Sequence, residues 1–310
     1  MSDLPTAGGE GTGPRDPEQL EAMATTASAE ISPETHMGAV HLTVADLGRS
    51  IRYYGEQVGL DVIAQNDGVA TLGTDGRGLL VLTELADAPP SRGHTGLYHL
   101  ALLVPERDDL ARWLAHAARD RVSLVGLSDH YVSEALYLRD PDHHGIEIYW
   151  DRPREIWQGQ VGVRMTTEPL DVENLLGELD DPASEPFEGL PAGTIMGHVH
   201  LQVSEIDSTV GFYRDLLGFG LMAQLGASAA FLAAGGYHHH LGANTWESRG
   251  ASPPPAGTAA LRHATIVLPD DAARDRVLDR LERGGHAAED GEHGPAVSDP
   301  SGNRLVLSTA

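Results

Sequence analysis

The pattern of apolar and polar residues first becomes regular near residue 40, where the two kinds alternate as they do in a half-buried strand. One face of this strand would carry Val40, Leu42 and Val44, and the other His41 and Thr43. The spacing then changes to that of an amphipathic helix that ends at Gly59, a residue suited to a helix C-cap. Short strands are predicted after the helix, and together these elements form a β-α-β-β-β module.

The chain repeats itself at a fixed distance of 159 residues. Residues 38–44 recur as residues 197–203, and Asp140-Pro141 recurs as Asp299-Pro300. A single offset that holds through most of each half indicates a tandem duplication. A weaker repeat lies within each half, because a second module begins near residue 97. The sequence therefore predicts an α+β fold of four βαβββ modules, paired into two tandem domains with cupped mixed β-sheets.

Domain boundaries follow from the repeat and from local composition. Residues 1–35 are rich in Gly, Pro, Ser, Thr and Glu without an apolar period, and we expect them to be a disordered N-terminal tail. The first paired-module domain is expected over residues 36–150, with the metal site, and the second over residues 196–310. Residues 151–195 contain several prolines and are predicted to be a linker.

Composition limits the classes of function. The 310 residues correspond to about two average domains, and 21 basic against 46 acidic residues give a net charge of −25. Such an acidic chain is unsuited to nucleic acid or to an anionic membrane surface. No apolar run is long enough to cross a bilayer, and the first residues lack the features of a secretory signal. We therefore expect a cytoplasmic protein with no membrane association.

Cysteine is absent, which excludes disulfides, thiolate metal sites and cysteine nucleophiles. The remaining candidates for chemistry are three polar residues at comparable positions of predicted strands. His41 and His99 stand near the start of the first strand of a module, and Glu147 lies within the last strand of the second module. Two imidazoles and one carboxylate are the ligands of non-haem Fe(II) oxygenases. From the pattern alone, a metal site and three ordinary strand positions both remain open.

Several motifs are similar to those of a known family. They comprise the histidines at the strand starts and three longer runs of sequence: His41, His99, His200, His263, residues 133–142, residues 145–149 and residues 235–242. On these residues the chain resembles the vicinal oxygen chelate superfamily, which includes glyoxalases, bleomycin resistance proteins and extradiol dioxygenases. The likeness is greatest to the catechol 2,3-dioxygenase branch, and it covers about residues 37–150 and 195–308.

The resemblance implies a site and a reaction. It implies metal ligands at His41, His99 and Glu147, and it places a tyrosine ten residues before the glutamate, which is Tyr137 here. The implied cofactor is Fe(II), with Mn, Zn or Ni as alternatives, and the implied partners are a small aromatic diol and O₂. His130 is our candidate general acid or base, because imidazole exchanges protons readily near neutral pH.

Two departures from the family pattern leave alternatives open. The glyoxalase branch has a fourth ligand, a glutamate, at the position of Val81, and its absence favours a dioxygenase. The histidine beside the metal in extradiol enzymes also has no counterpart at Val81, which puts ring cleavage in question. A Zn or Ni isomerase or lyase of the glyoxalase kind, and a metal-free small-molecule binding or resistance protein, therefore remain as alternative hypotheses.

The second half lacks the carboxylate, because the position equivalent to Glu147 is Val306. We interpret this half as structural, with a three-histidine site of His200, His240 and His263 as the alternative. Self-association is compatible with such folds, and a homo-oligomer stays open.

Overall fold

Two curved mixed β-sheets form the framework of the computed structural model, which describes residues 30–310. The strands are β1 His36–Val44, β2 Asp61–Asn66, β3 Val69–Thr74, β4 Arg77–Glu84, β5 Gly96–Leu103, β6 Leu124–Asp129, β7 Ser133–Arg139, β8 Gly145–Asp151, β9 Glu168–Pro169, β10 Ile195–Gln202, β11 Gly220–Leu225, β12 Ala229–Ala233, β13 Leu241–Asn244, β14 Leu261–Leu268, β15 Ala296–Ser298 and β16 Arg304–Thr309. One sheet has the order β15-β16-β14-β1-β4-β3-β2, and the other β11-β12-β13-β10-β5-β8-β7-β6-β9.

The helices pack on the outer faces of these sheets and between them. They are α1 Leu47–Tyr53, α2 Arg107–Asp120, α3 Arg154–Trp157, α4 Val161–Arg164, α5 Val172–Leu176, α6 Ile206–Gly211 and α7 Asp271–Arg283. Helices α1 and α6 each continue as a π-helical segment, Tyr54–Val58 and Phe212–Leu217. No helix within residues 30–310 combines the length and the apolar character that crossing a membrane requires.

Four modules are visible in this order: module one β1–β4, module two β5–β8, module three β10–β13 and module four β14–β16. Each begins with a strand and a helix, and in module four an isolated bridge between Glu289 and Ala296 replaces one strand. The predicted α+β fold with four such modules and two curved mixed sheets is confirmed. The predicted tail overlaps the described residues only at 30–35, and its remainder, residues 1–29, lies outside them. Within this overlap Ile31 is buried in the core and its N–H donates to the carbonyl of Gly218 at 2.9 Å.

The sheets join modules across the two halves of the chain. Strand β1 pairs antiparallel with β14, with His41 opposite His263, and β5 pairs antiparallel with β10, with His99 opposite His200. Module one thus shares a sheet with module four, and module two with module three. This corrects the expectation that residues 36–150 and 196–310 each form one paired-module unit. All four first strands have the same alternating pattern, so local sequence does not specify which two of them pair.

Equivalent caps delimit the first helix in modules one and three. The side chain of Asp46 accepts a hydrogen bond from the N–H of Arg49 at 2.8 Å, and that of Glu205 accepts one from Ser208 at 2.9 Å. Because such side chains satisfy donors that the first helical turn leaves unpaired, they fix where each helix begins. Gly59 follows the helical segment with a φ of 95°, a left-handed conformation that glycine adopts without strain. The predicted C-cap is confirmed.

The aspartate of each repeated Asp-Pro pair holds the turn before the last strand of its module against the helix of the preceding module. Asp140 is buried, and its Oδ1 accepts the N–H groups of Asp142 and His144 at 2.9 and 2.8 Å. Its Oδ2 accepts the hydroxyl of Tyr54 at 3.1 Å. Asp299 accepts the hydroxyl of Tyr213 in the same way at 2.9 Å. Each aspartate therefore links a turn of one sheet to a helix that covers the other.

His144 adds a charge to the first of these two turns. Its Nδ1 lies 2.9 Å from Asp140 Oδ2, in the place where Asn303 donates to Asp299 at 3.0 Å in the second turn. Burial would lower the pKa of His144, but the adjacent Asp140 outweighs burial and raises it. Burial likewise would raise the pKa of Asp140, and His144 lowers it instead. Both shifts therefore favour the ionised forms of this buried pair.

We expect His144→Asn to remove a pH-dependent part of the stability while keeping the turn. Because the pKa of His144 is higher in the folded state than its ordinary value of 6.5, the ion pair stabilises fully below pH 6.5 and its contribution disappears as pH rises through the folded pKa. The free energy of unfolding, measured by urea denaturation, should therefore differ most between wild type and variant under mildly acidic conditions. A constant difference between His144→Asn and wild type at every pH would contradict the ion pair.

Asp140→Ala should lower the free energy of unfolding by about 3–5 kcal/mol, since it leaves a buried charge unpaired.

Candidate metal centre

Three strands place the side chains of the candidate centre in one row. In the sheet of modules two and three, Glu147 on β8 lies opposite Ala101 on β5, and Ala101 lies opposite His198 on β10. Side chains at directly opposed positions of neighbouring strands point to the same face. Because Ala101 has only a methyl group, Glu147 and His198 can meet above it from both sides. His99, two residues earlier on β5, points to the same face.

The donor atoms of these residues converge at one point. Glu147 Oε2 lies 2.9 Å from His99 Nε2 and 3.0 Å from His198 Nε2. The two imidazole nitrogens are 3.3 Å apart. All three side chains are buried. The cluster is therefore a compact triangle of one carboxylate oxygen and two imidazole nitrogens.

The electrostatics of the cluster keep a negative charge inside the protein. Burial alone would raise the pKa of Glu147, but the imidazoles of His198 and His99 outweigh it and hold the pKa well below its usual range. Burial lowers the pKa of His198, although Glu147 acts in the opposite direction. A buried carboxylate is costly unless it is paired or coordinates a metal ion. The site thus presents an anionic oxygen together with nitrogen donors.

This donor set fits a divalent transition metal. Adjacent ligands of an octahedral ion with bonds of about 2.1 Å are about 3.0 Å apart, close to the separations in the triangle. Two imidazoles and a carboxylate on one face of an ion are also the ligand arrangement that leaves the opposite positions open. In addition, His198 Nδ1 and His200 Nε2 are buried and have no hydrogen-bond partner within residues 30–310. The residues present are therefore suited to hold a metal ion with open positions.

Tyr137 and His130 border the same site. Tyr137 on β7 lies opposite Glu147 on β8, and its hydroxyl is 2.7 Å from His130 Nε2. His130 Nδ1 is 2.7 Å from the carbonyl of Thr166, which can only accept a hydrogen bond. In a neutral ring Nδ1 therefore carries the proton, and Nε2 accepts a hydrogen bond from the hydroxyl of Tyr137. Burial, and then the charge of Glu147, raise the pKa of Tyr137 well above its usual value.

A second group of histidines packs against His198 of the centre. The ring of His239 lies 4.1 Å from that of His198, centre to centre, and its Nδ1 is 2.8 Å from His238 Nδ1. His238 Nε2 is 2.8 Å from Asp151, which also accepts the hydroxyl of Tyr237 at 2.7 Å. Burial lowers the pKa of His239 well below its ordinary value, and His198 adds to this effect. His239 is therefore a neutral ring held in position by an anchored neighbour.

The centre lies at the base of a cavity of about 430 Å³. Aromatic and aliphatic side chains form much of its wall: Tyr98, Val125, Val132, Leu138, Met165, Leu225, Phe231 and Trp246. Residues 151–195, the predicted linker, cover one side of it, because Val161, Met165 and Thr166 line the cavity. An apolar cavity with a few convergent polar groups is typical of a site for a small molecule.

Comparison with known proteins places this geometry in a family. The profile of the Glyoxalase/Bleomycin resistance protein/Dioxygenase superfamily matches residues 36–148 and 195–307. The chain belongs to this superfamily. It is 43% identical over 276 residues to the protein named catechol-2,3-dioxygenase of Bacillus subtilis (strain 168), a match that covers 87% of this chain and 95% of the relative. The identity to this relative indicates that the chain is an enzyme of the dioxygenase class.

Solved structures share the fold of this chain at lower sequence identity than the relative above. A proposed dioxygenase from Bacillus subtilis has a TM-score of 0.58 at 15% identity, and the match covers 88% of this chain and 85% of that one. Glyoxalase I from Zea mays has a TM-score of 0.54 at 17% identity, with 88% and 92% covered. At these identities the likeness extends to the fold alone.

The structure brings together four of the five residues singled out in the sequence. His99, Glu147, Tyr137 and His130 line one cavity. His41 does not join them, because β1 belongs to the other sheet, where His41 faces His263 and His293. The place predicted for His41 is occupied by His198. The structure therefore does not assemble the predicted triad of His41, His99 and Glu147, and the candidate ligands are His99, Glu147 and His198.

The alternative trio in the second half is not assembled either. His263 lies in the other sheet from His200, and His240 Nδ1 accepts the N–H of Ala234 at 3.1 Å. Val306 does occupy the place equivalent to Glu147, because Thr265 lies opposite Val306 as Ala101 lies opposite Glu147.

Sequence reasoning missed His198 because the repeat was aligned on His41 and His200. In that alignment His198 corresponds to Ala39, so module one offered no histidine there to draw attention to it. One signal was nevertheless present. His198 and His99 are both followed by an apolar residue of the core, and His198 stands two residues before His200, so that the alternation places both of its strand's histidines on one face. His239, which follows Tyr237 and His238 in a loop, had no such periodic signal.

We expect Ala101→Leu to abolish metal binding at this centre. A larger side chain would occupy the space in which Glu147 and His198 meet, and overpacking of a core position costs about 1–3 kcal/mol. The number of Fe(II) ions bound per chain after anaerobic loading and desalting should fall by one. Ala101→Ser, which adds a single atom, is the matched control and should keep the ion. Full binding by a natively folded Ala101→Leu would contradict the role assigned to this position.

Proposed function

We propose that the protein is an Fe(II)-dependent extradiol-type ring-cleaving dioxygenase that acts on a small catechol-like aromatic diol. The observation that carries this proposal is the triangle of His99, Glu147 and His198 at the base of an apolar cavity. The name of the relative with 43% identity, catechol-2,3-dioxygenase, supports the substrate class. Two imidazoles and one carboxylate are the ligands of non-haem Fe(II) oxygenases.

The reaction balances without a further co-reactant. Fe(II) bound by the three side chains would supply adjacent positions for the two vicinal oxygens of a catechol and for O₂. Both atoms of O₂ enter the product, and the ring C–C bond beside the diol breaks. The diol supplies the electrons that reduce O₂, so no external reductant is required.

Tyr137 and His130 provide a path for the proton that the substrate loses. The hydroxyl of Tyr137 donates to His130 Nε2, and its oxygen can accept a proton from a substrate hydroxyl as its own proton moves to His130. His130 in turn is held by the carbonyl of Thr166 in the covering segment. The pair can therefore take up a proton within the cavity and return it to the ring-opened product.

His200 and His239 offer neutral imidazoles to the same space. His200 Nε2 is buried without a partner within the described part of the chain, and burial lowers the pKa of this ring well below its ordinary value. An unpaired buried nitrogen is costly, and an oxygen of the substrate or of O₂ would satisfy it. We assign His200 and His239 to hydrogen bonding with oxygen atoms of the substrate or of O₂ during the reaction.

Aromatic side chains suit the wall to a planar ring. Tyr98 and Trp246 are in edge contact with each other, with ring centres 5.3 Å apart, and Phe231 lies 5.7 Å from His200. Aromatic pairs in such arrangements contribute about 0.5–1.5 kcal/mol beyond the area they bury. These side chains would orient the ring of the diol and exclude water from it.

One observation separates this proposal from the glyoxalase-type isomerase. For the glyoxalase branch, the resemblance implies a fourth metal ligand, a glutamate on the last strand of a module. In the sheet that holds the triangle, the corresponding strand β13 has the sequence Leu-Gly-Ala-Asn and carries no carboxylate. At Gly242 an added Cβ would lie 2.8 Å from the ring of His200, so the position has no room for a longer side chain. Three protein ligands and open positions favour the dioxygenase.

Oxygen uptake with catechol after anaerobic loading with Fe(II) tests the proposal directly. We expect one O₂ consumed per catechol and a conjugated ring-opened product that absorbs visible light. His99→Ala, Glu147→Gln and His198→Ala should each lower the rate at least about 100-fold, since each removes a ligand. The effect of His198→Ala should exceed that of His41→Ala. His286→Ala, an exposed histidine far from the triangle, is the control that keeps activity.

Other outcomes would point elsewhere. Metal-loaded protein that consumes no O₂ with any catechol, yet isomerises a thiol adduct, would contradict the dioxygenase and favour the glyoxalase reaction. Tight binding of an aromatic ligand that a chelator leaves unchanged would favour a binding protein.

We also expect Tyr137→Phe and His130→Gln to lower kcat by about 10²–10⁴, the range typical of a lost acid or base. The metal content should stay at the wild-type level in both variants, because neither residue belongs to the triangle. The measurement is kcat from oxygen uptake over a range of pH, together with metal analysis of each variant. An additive loss in the double variant would contradict a shared proton path, whereas a double variant no slower than either single one agrees with it.

A further inference from the structure

The second sheet has a concave face that mirrors the candidate metal centre. Its cavity, of about 470 Å³, lies over the strand pair β1 and β14. The positions that correspond to family carboxylates are Val81 and Val306, and both line this cavity as apolar residues. No carboxylate of the family pattern is therefore present here, and any ligands must come from other residues.

Three histidines converge in this second cavity. His41 and His263 lie opposite each other on β1 and β14, with ring centres 3.9 Å apart and nearly parallel planes. The ring of His293 lies 4.8 Å from that of His41 and 5.4 Å from that of His263. One nitrogen of each ring lies within 4.8 Å of the others. Three imidazoles from two strands and a turn thus come together in this cavity.

The turn that carries His293 is held in place. The N–H of Gly294 donates to the carbonyl of Gly291 at 3.2 Å, and Gly294 has a φ of 116°, which favours glycine. Before and after the turn, Glu289 and Ala296 exchange two backbone hydrogen bonds of 2.8 and 2.9 Å. His293 is exposed, but its backbone is fixed over the two buried rings.

The ring nitrogens lack partners. Within residues 30–310, none of the three rings makes a hydrogen bond to the protein, and His263 Nε2 is buried. Buried polar nitrogens are normally paired with protein, water or an ion. Two buried imidazoles stacked face to face, without a single acceptor or donor between them, indicate a ligand that accepts their lone pairs.

We propose that His41, His263 and His293 form a second metal site, distinct from the triangle, which binds a divalent transition-metal ion of the zinc class. Imidazole nitrogen suits Zn²⁺, Ni²⁺, Cu²⁺ and Fe²⁺, and three protein ligands leave a position open. Rotation of the exposed His293 ring would bring its nitrogen to the closer spacing that such an ion requires.

Charged side chains surround the three histidines. Arg262 and Arg304 also line the cavity and oppose a bound cation. Arg304 is paired with Glu289 at 2.8 Å, and Glu292 contributes a carboxylate to the same cavity. Arg304 is therefore neutralised, and Glu292 adds a negative charge to the cavity that also holds Arg262.

Metal stoichiometry tests the site independently of activity. We expect purified wild-type chain dialysed against Zn²⁺ to hold two ions, and His41→Ala, His263→Ala and His293→Ala each to hold one. Glu147→Gln should also lose one ion, and Glu147→Gln combined with His293→Ala should lose both. His286→Ala, another exposed histidine before the same turn, should retain both ions. His293→Ala alters only an exposed side chain, so it separates ligand loss from misfolding.

Co²⁺ gives a second readout, because its visible absorption depends on the ligands. In the Glu147→Gln background, Co²⁺ should produce a band that the further change His293→Ala removes, with affinity weakened at least about 100-fold. The proposal is overturned if Zn²⁺ and Co²⁺ binding in that background is unaffected by the loss of His41, His263 or His293. It is also overturned if binding there is no tighter than that of a single exposed imidazole.

Discussion

The antiparallel pairing of β5 with β10 is the contact on which the candidate active site depends. It sets Ala101 opposite His198, while the parallel partner β8 sets Glu147 opposite Ala101 from the other side. A shift of one residue in either register would turn one of these side chains to the opposite face of the sheet. The ligands of one centre therefore come from modules far apart in sequence, and neither half of the chain contains the whole set.

The same pairing explains how the carboxylate of Glu147 can be buried. It lies beside a largely apolar cavity wall, and the imidazoles of His198 and His99 offset the cost of its burial. Such surroundings strengthen electrostatic interactions and exclude water. The segment that joins the halves covers one side of the cavity and holds His130 through the carbonyl of Thr166, so that the proposed proton path depends on this covering segment as well.

Duplication has given the chain two equivalent cavities with different chemistry. The bulges and pairings of β1 with β14 repeat those of β10 with β5, and His41 opposite His263 corresponds to His200 opposite His99. At the positions equivalent to His198 and Glu147, β1 carries Ala39 and β16 carries Val306. The backbone has thus been kept while the side chains have diverged, because a strand tolerates substitution on its concave face as long as the opposite, buried face keeps its packing.

Much of the architecture was determined by the sequence alone, because alternation, helical spacing and a fixed offset are local signals. They identify the modules, the cap at Gly59 and the strand positions of His99 and Glu147, whereas Tyr137 was implied by the resemblance to the family. Which first strand pairs with which was decided only by the tertiary structure, since all four have the same pattern and pairing depends on contacts between distant segments. That choice excludes His41 from the triangle and brings in His198. The positions of His239 and His293 were likewise decided by the tertiary structure. Both residues lie in loops or turns, which have no periodicity that would predict where their side chains lie.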